Sequence, residues 1–310
     1  MLPLIIDCDP GQDDAVALLL ALASPELEVL GITTVAGNVS LEKTSRNARQ
    51  ICELAGRPQV GVYAGCPRPL LRPLETAEEV HGKSGIDGAN LPEPQMPLGS
   101  QHAVQFLIET LRGAQQPVTL ALLGPMTNLA VALVQQPQIV ERIGRLVFMG
   151  GSAFEGNVTP AAEFNILTDP HAAQIVLSAG IPEVVMLGLN VTGQVLSTPE
   201  RIERIRALGT RVGQTVADML TFYGKFDVRR YGLPGGPLHD PCVIAYLLQP
   251  QLFELKPCYV EVDTVSPLNL GRTVVDRWGL SGRPANVQVA FGVDAEGFYR
   301  LLTERLGRYR

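Results

Sequence analysis

Apolar, β-branched runs alternate with amphipathic stretches over roughly the first 190 residues of the chain. The runs LPLIID (2–7), EVLGITTVAG (28–37), PVTLALLG (117–124), RLVFMGG (145–151) and PEVVMLGL (182–189) are each bounded by turn residues and read as strands. Between them, helical spacing of apolar positions predicts helices over 13–23, 40–56, 101–113, 126–135 and 169–179. Continuously apolar strands separated by helices predict an α/β fold: a mostly parallel central sheet, helices on both faces, and a ligand site at the C-terminal strand ends.

Beyond this alternation the pattern becomes helical from about 197 to 248, through TPERIERIRALG, TRVGQTVADMLTFYGKF and DPCVIAYLLQ. Short strands follow near 257–263, 271–276 and 285–291, and a terminal helix begins near 294. Two long loops are expected, the Pro- and Gly-rich 66–99 and VRRYGLPGGPLHD (227–240). Loops of that length in a compact domain are commonly lids or binding loops. No repeat or composition break divides the chain, so a single domain over 1–310 is expected.

Composition narrows the partners. Twenty-five basic against thirty-one acidic residues give a net charge of -6, with no basic cluster or stripe, which argues against nucleic acid polymers and anionic membranes. The N-terminus has no basic leader, and no apolar run approaches the roughly 18 residues of a membrane helix, so a cytoplasmic location is expected. Cys8, Cys52, Cys66, Cys242 and Cys258 are odd in number and widely spaced, the pattern of reduced core thiols.

Chemistry enters at DCDPGQDDA (7–15), where four carboxylates crowd the end of the first strand. Alternation along the strand points Asp7 and Asp9 the same way, and Asp13 and Asp14 fall in the first turn of the next helix. One aspartate there is an ordinary helix-terminus residue. Four together repel unless a cation neutralises them or some hold protons, and a hard, oxygen-preferring ion such as calcium or magnesium suits them better than zinc. The D-x-D also invites comparison with haloacid-dehalogenase phosphotransferases and a magnesium-dependent phosphohydrolase. Here, however, Pro10-Gly11 follows the second aspartate, and the chain's few lysines are poorly placed for that chemistry.

The set DCDPGQDDA, VAGN (35–38), HGKSG (81–85), LGPMTNLA (123–130), MGG (149–151), GNVTPAAEFNILTDPHAA (156–173) and PLHDP (237–241), in this order, resembles the inosine-uridine preferring nucleoside hydrolases. The resemblance covers roughly residues 3 to 291 and implies a Rossmann-like open sheet and hydrolysis of ribonucleosides to free base and ribose. It implies a calcium ion held by Asp7, Asp9, Asp14, Asp240 and the carbonyl of Leu123, with Asp9 as general base toward the attacking water. Ribose would be held by Asp13, Asn38, Asn157, Glu163 and Asn165, whose amides and carboxylates suit a polyol. Glu163 and Asn165 are expected to share one face of an extended segment around Phe164.

On the base side, the resemblance places His239 as an acid or contact and His81 near the nucleobase. His102 and His171 are given no role in the site and read as surface or capping residues. Within MLTFYGKFDVRRYGLPGG (219–236), Tyr223, Phe226 and Tyr231 are the candidates to cover the base, with Tyr231 expected there and Phe222 in the core. The implied specificity is pyrimidine-preferring or broad, and the implied assembly is a homodimer or homotetramer. A non-catalytic ribose or nucleoside binder is the competing reading, since the same cleft would bind the sugar without cleaving it.

Overall fold

The first strand, β1 (Leu2–Cys8), is buried from its second residue onward, and its alternating side chains feed two separate cores. Leu4, Ile6 and Cys8 enter one and Ile5 enters the other, so both faces of the strand must be covered. The computed structural model describes residues 1–310.

The chain continues through α1 (Gln12–Leu22), β2 (Leu27–Thr34), α2 (Leu41–Leu54), β3 (Val62–Ala64), a one-turn α3 (Glu78–His81), α4 (Ala103–Gly113), β4 (Val118–Leu122), α5 (Thr127–Gln135) and β5 (Ile143–Met149). Next come α6 (Phe164–Thr168), α7 (Pro170–Leu177), β6 (Val184–Leu187), α8 (Leu189–Thr192), β7 (Leu196–Ser197), α9 (Pro199–Arg206) and α10 (Arg211–Tyr231). The last elements are β8 (Gly236–Pro237), α11 (Pro241–Leu248), β9 (Phe253–Val262), β10 (Thr273–Asp276), β11 (Val287–Val293) and α12 (Ala295–Leu306).

Nine strands form one sheet in the order β10-β9-β11-β6-β5-β4-β1-β2-β3. Antiparallel pairing within it occurs only where β9 joins β11 and β10 joins β9; the remaining pairs are parallel. Helices α1, α2, α10, α11 and α12 pack on one face, and α4, α5 and α7 on the other. The mostly parallel sheet with helices on both faces is therefore present. From β3 to β6 the strand order 3-2-1-4-5-6 is Rossmann-like, and it reverses between β1 and β4. At such a switch point the connections leave in opposite directions and open a crevice above the C-terminal strand ends.

Helix α1 buries all of its residues, Gln12 through Leu22, beneath α2, α10, α11 and α12. Its first turn is thereby anchored, and its carboxylates cannot swing into solvent. No helix of the structure is long and apolar enough to cross a membrane.

Two local expectations change. The loop expected over 227–240 is shorter, because α10 runs to Tyr231 and is closed by Gly232 in the left-handed region at φ 66°. Met219, Leu220, Tyr223 and Gly224 form its buried face, and the charged residues that follow are its solvated outer side. Phe164 and Asn165 open the helix α6 instead of lying on an extended segment, because the Glu163 side chain accepts from the Asn165 and Ile166 N–H groups and caps it.

Candidate active site

Asp9 leaves the end of β1 and Leu123 the end of β4, so they stand on either side of the switch point. Asp13 and Asp14 occupy the first turn of α1, and Asp240 directly precedes α11. Helix N-termini favour negative charge, which is why two of them can meet over a carboxylate floor. Asp14 accepts from the Gly11 N–H at 2.9 Å and the Asp9 N–H at 3.2 Å. Asn38 ties the floor together: its N–H donates to Asp9 Oδ2 at 2.7 Å, and its amide donates to the Asp9 carbonyl at 3.1 Å and Asp14 Oδ2 at 3.2 Å.

Two glycines leave the space that the Asp9 carboxylate fills. A Cβ on Gly37 or on Gly124 would stand 2.1 Å from one of its oxygens. This gives VAGN and LGPMTN a steric meaning at their glycines.

Electrostatically, the floor calls for a cation. Burial pushes Asp13 up to about 7, with Asp14 adding to the rise, and pushes Asp14 up to about 6. Burial, followed by neighbouring carboxylates, drives Asp9 and Asp240 well above the usual range. Oxygens of Asp13, Asp14 and Asp240 lie within 4.8 Å of one another, and Asp7 Oδ2, Asp9 Oδ1 and Asp13 Oδ1 are buried with no partner. Converging, partly unsatisfied carboxylates of this kind fit a hard divalent ion. The Leu123 carbonyl accepts from the Asn165 amide at 2.7 Å, and its second lone pair stays available.

Asp7 is anchored through one oxygen: its Oδ1 accepts from Thr33 and, at 2.8 Å, from Asn128, while Oδ2 is buried with no partner. Asp13 joins Asp14 and Asp240 in the closest carboxylate cluster. Asn128 stands within LGPMTNLA, so its position was marked in the sequence; its partner was not.

Above the floor opens a cavity of about 310 Å³, and Asn38, His81, Asn157, Glu163, Asn165, Tyr231 and His239 all reach its wall. Both Glu163 oxygens are engaged by backbone donors, from Gly151 at 2.8 Å, Asn165 at 2.8 Å and Ile166 at 3.2 Å. Burial nevertheless pushes Glu163 up to about 7. The Asn157 side chain accepts from the Phe164 N–H at 3.1 Å. His81 and His239 are both held neutral by burial, which lowers them to about 3 and about 4. His239 Nδ1 shares a 2.7 Å hydrogen bond with the Thr192 hydroxyl.

Tyr223, more than Tyr231, is built into the site. It is buried, stacks on His81 with ring centroids 5.3 Å apart, and its hydroxyl donates to Asp13 Oδ2 at 3.4 Å. Tyr231 is 50% exposed at the rim. Phe222, expected in the core, is only half-buried, because the turn of α10 that seats Tyr223 inward rotates its neighbour outward. His102 caps α4 by accepting from the Val104 N–H, as expected, while His171 lies in α7 away from the cavity. No lysine lines the cavity, which leaves the phosphotransferase reading without the lysine it needs.

The profile of the inosine-uridine preferring nucleoside hydrolases matches residues 4–300. The chain belongs to this family. As a nucleoside hydrolase it cleaves the N-glycosidic bond of ribonucleosides, and the non-catalytic binder reading falls away. Among its relatives, a pyrimidine-specific ribonucleoside hydrolase RihA of Shewanella sp. (strain ANA-3) is 48% identical over 99% of this chain and 96% of its own length. The enzyme of that name from Salmonella paratyphi A is 49% identical over 99% of both chains. A purine-preferring ribonucleoside hydrolase from Gardnerella vaginalis superimposes with a TM-score of 0.92 at 37% identity, covering 98% of both chains. Relatives named for opposite base preferences thus both match nearly the full length of this chain.

Proposed function

We infer that this nucleoside hydrolase holds calcium in its carboxylate floor and acts preferentially on pyrimidine ribonucleosides. The observation that carries the preference is full-length identity of 48–49% with relatives named as pyrimidine-specific, against 37% for the purine-preferring structure. Asp7, through its unpartnered Oδ2, with Asp9, Asp14, Asp240 and the Leu123 carbonyl would hold the ion, with Asp13 beside them. A bound calcium supplies the positive charge that lets neighbouring carboxylates stay ionised and lowers the pKa of a nearby water.

Cleavage of the ribosyl C1′–N bond builds positive charge on the sugar ring and needs a water stripped of its proton. Asp9 is the base. Asn38 holds one of its oxygens and two glycines confine the group, while Oδ1 is left free to take the proton. Asp13, with one oxygen turned toward Tyr223 and the other unpartnered, receives ribose hydroxyls. Asn157, Glu163 and Asn165 complete the sugar wall, and Asn38 contributes chiefly by orienting the carboxylates. His239 is the candidate to act on the departing base, steadied by Thr192. Tyr231 closes the rim.

Free-base release from uridine, cytidine, inosine, adenosine and the deoxy analogues tests this reading. It predicts the highest kcat/KM for a pyrimidine ribonucleoside and loss of activity on calcium chelation, restored by calcium. A purine preference would refute the specificity, and full activity after exhaustive chelation would refute the ion.

A further inference from the structure

Gln12 lies inside the aspartate motif, yet neither the ion nor the ribose uses it. The residue is fully buried, and its side chain leaves α1 to reach the loop that carries His81. Its Nε2 stands 2.9 Å from the His81 carbonyl oxygen and 3.0 Å from the Asp87 carbonyl oxygen. Only an amide nitrogen satisfies two carbonyls, so the neighbours themselves determine which way this amide faces. The atom turned toward His81 Nδ1, at 2.7 Å, is therefore the amide oxygen.

An amide oxygen accepts and never donates, so Nδ1 must carry the hydrogen. A neutral imidazole has one N–H, and Nε2 is then a bare lone pair. Nε2 has no partner in the protein, and His81 lines the cavity. Burial, with His239 nearby, keeps the ring from taking a second proton. Nor can the ring readily turn over to exchange its nitrogens. A Cβ on Gly11 would stand 2.4 Å from Nδ1, which shows how closely backbone packs there, and Tyr223 stacks on the ring. The loop itself is shaped for this grip: Gly82 and Gly85 take φ values of 79° and 91°, and a Cβ at Gly82 would lie 2.2 Å from Asp87 Cγ.

We propose that Gln12 sets His81 as the Nδ1–H tautomer, so that His81 presents a hydrogen-bond acceptor to the nucleobase and reads an N–H donor on its edge. This rests on the base-side placement of His81 under the proposed function. Gln12 is a positioning residue, since it acts only through His81. His81, in turn, is not the proton source for the departing base. Uracil offers a donor at N3, cytosine at its exocyclic amine and hypoxanthine at N1, whereas uracil methylated at N3 or hypoxanthine methylated at N1 offers none there.

The direct test is a two-bond proton–nitrogen correlation spectrum of the calcium-loaded full chain labelled with nitrogen-15 histidine, with His81 assigned by its absence in His81→Asn. A single Nδ1–H pattern at pH 6 to 8 is expected. An Nε2–H pattern, or an imidazolium at pH 7, overturns the proposal. The second arm compares kcat/KM for uridine and N3-methyluridine in the wild type and in Gln12→Leu. The methyl group has the same bulk for both enzymes, so a fall of about 3- to 10-fold in the uridine preference of the variant reports the hydrogen bond. An unchanged ratio overturns the base-reading role. If no ribonucleoside were hydrolysed, the functional reading would fail while the tautomer spectrum would still decide the role of Gln12.

Discussion

The floor and the rim of the cavity are built on different principles. In the floor, Asp9, Asp13, Asp14 and Asp240 are each no more than 4% exposed, and they sit on strand ends and helix starts that the core holds in place. At the rim, Phe226 is half-buried and Tyr231 is exposed on the last turns of α10, facing the short α3 and the irregular segment before it. A floor of this kind suits the sugar and the proposed ion. A rim of this kind can be altered without disturbing the sheet.

That contrast is sharpest at Asp9. Asp9→Asn is expected to lower kcat by roughly 10²- to 10⁴-fold while ribose analogues still bind, and turnover near the wild-type level would remove Asp9 from the role of base. Gly124→Ala tests the same group through its container. The added methyl would stand 2.1 Å from Asp9 Oδ1, so a loss of about 100-fold in kcat is expected, read against a melting temperature close to that of the wild type.

Removing calcium should loosen the floor more than the rim. At an ion concentration about 100 times Kd, binding contributes about 2.7 kcal/mol, so chelation should lower the melting temperature by several degrees and calcium should restore it. An unaltered melting curve would show that the aspartates are stabilised without an ion.

A gentler probe is pH. Glu163 is raised from 4.5 to about 7, so between these values the folded protein keeps a proton that the unfolded chain has released. Its contribution to stability is therefore present at low pH and is lost as pH rises through about 7. Glu163→Gln should gain melting temperature relative to the wild type between pH 5 and pH 8; a constant difference would mean that the group is ionised throughout. Smallest of all, Tyr231→Phe should leave ribose binding unchanged and shift the cytidine-to-adenosine ratio by less than about 10-fold.

Much of this was legible in the residues. Continuously apolar runs identified β1, β2, β4, β5 and β6, because strands covered on both faces have no polar side to show. β3 was not legible: three residues in a Pro- and Gly-rich stretch carry no period. The end of α10 was misread as loop because its outer face is charged and Gly232 stands close to further Gly and Pro residues. Asp7 looked equivalent to its neighbours in the motif, yet one oxygen belongs to Thr33 and Asn128, which come from β2 and α5.

By itself, the sequence determined the alternation of elements, the family, and the chemical character of the floor, since crowded carboxylates at a strand end must be neutralised by a cation or by protons wherever the chain folds. Only the tertiary structure decided which of them converge, which nitrogen of His81 faces the cavity, and which tyrosine is buried against Asp13. Those outcomes depend on contacts between residues 69, 121 and 210 positions apart, which no local spacing encodes.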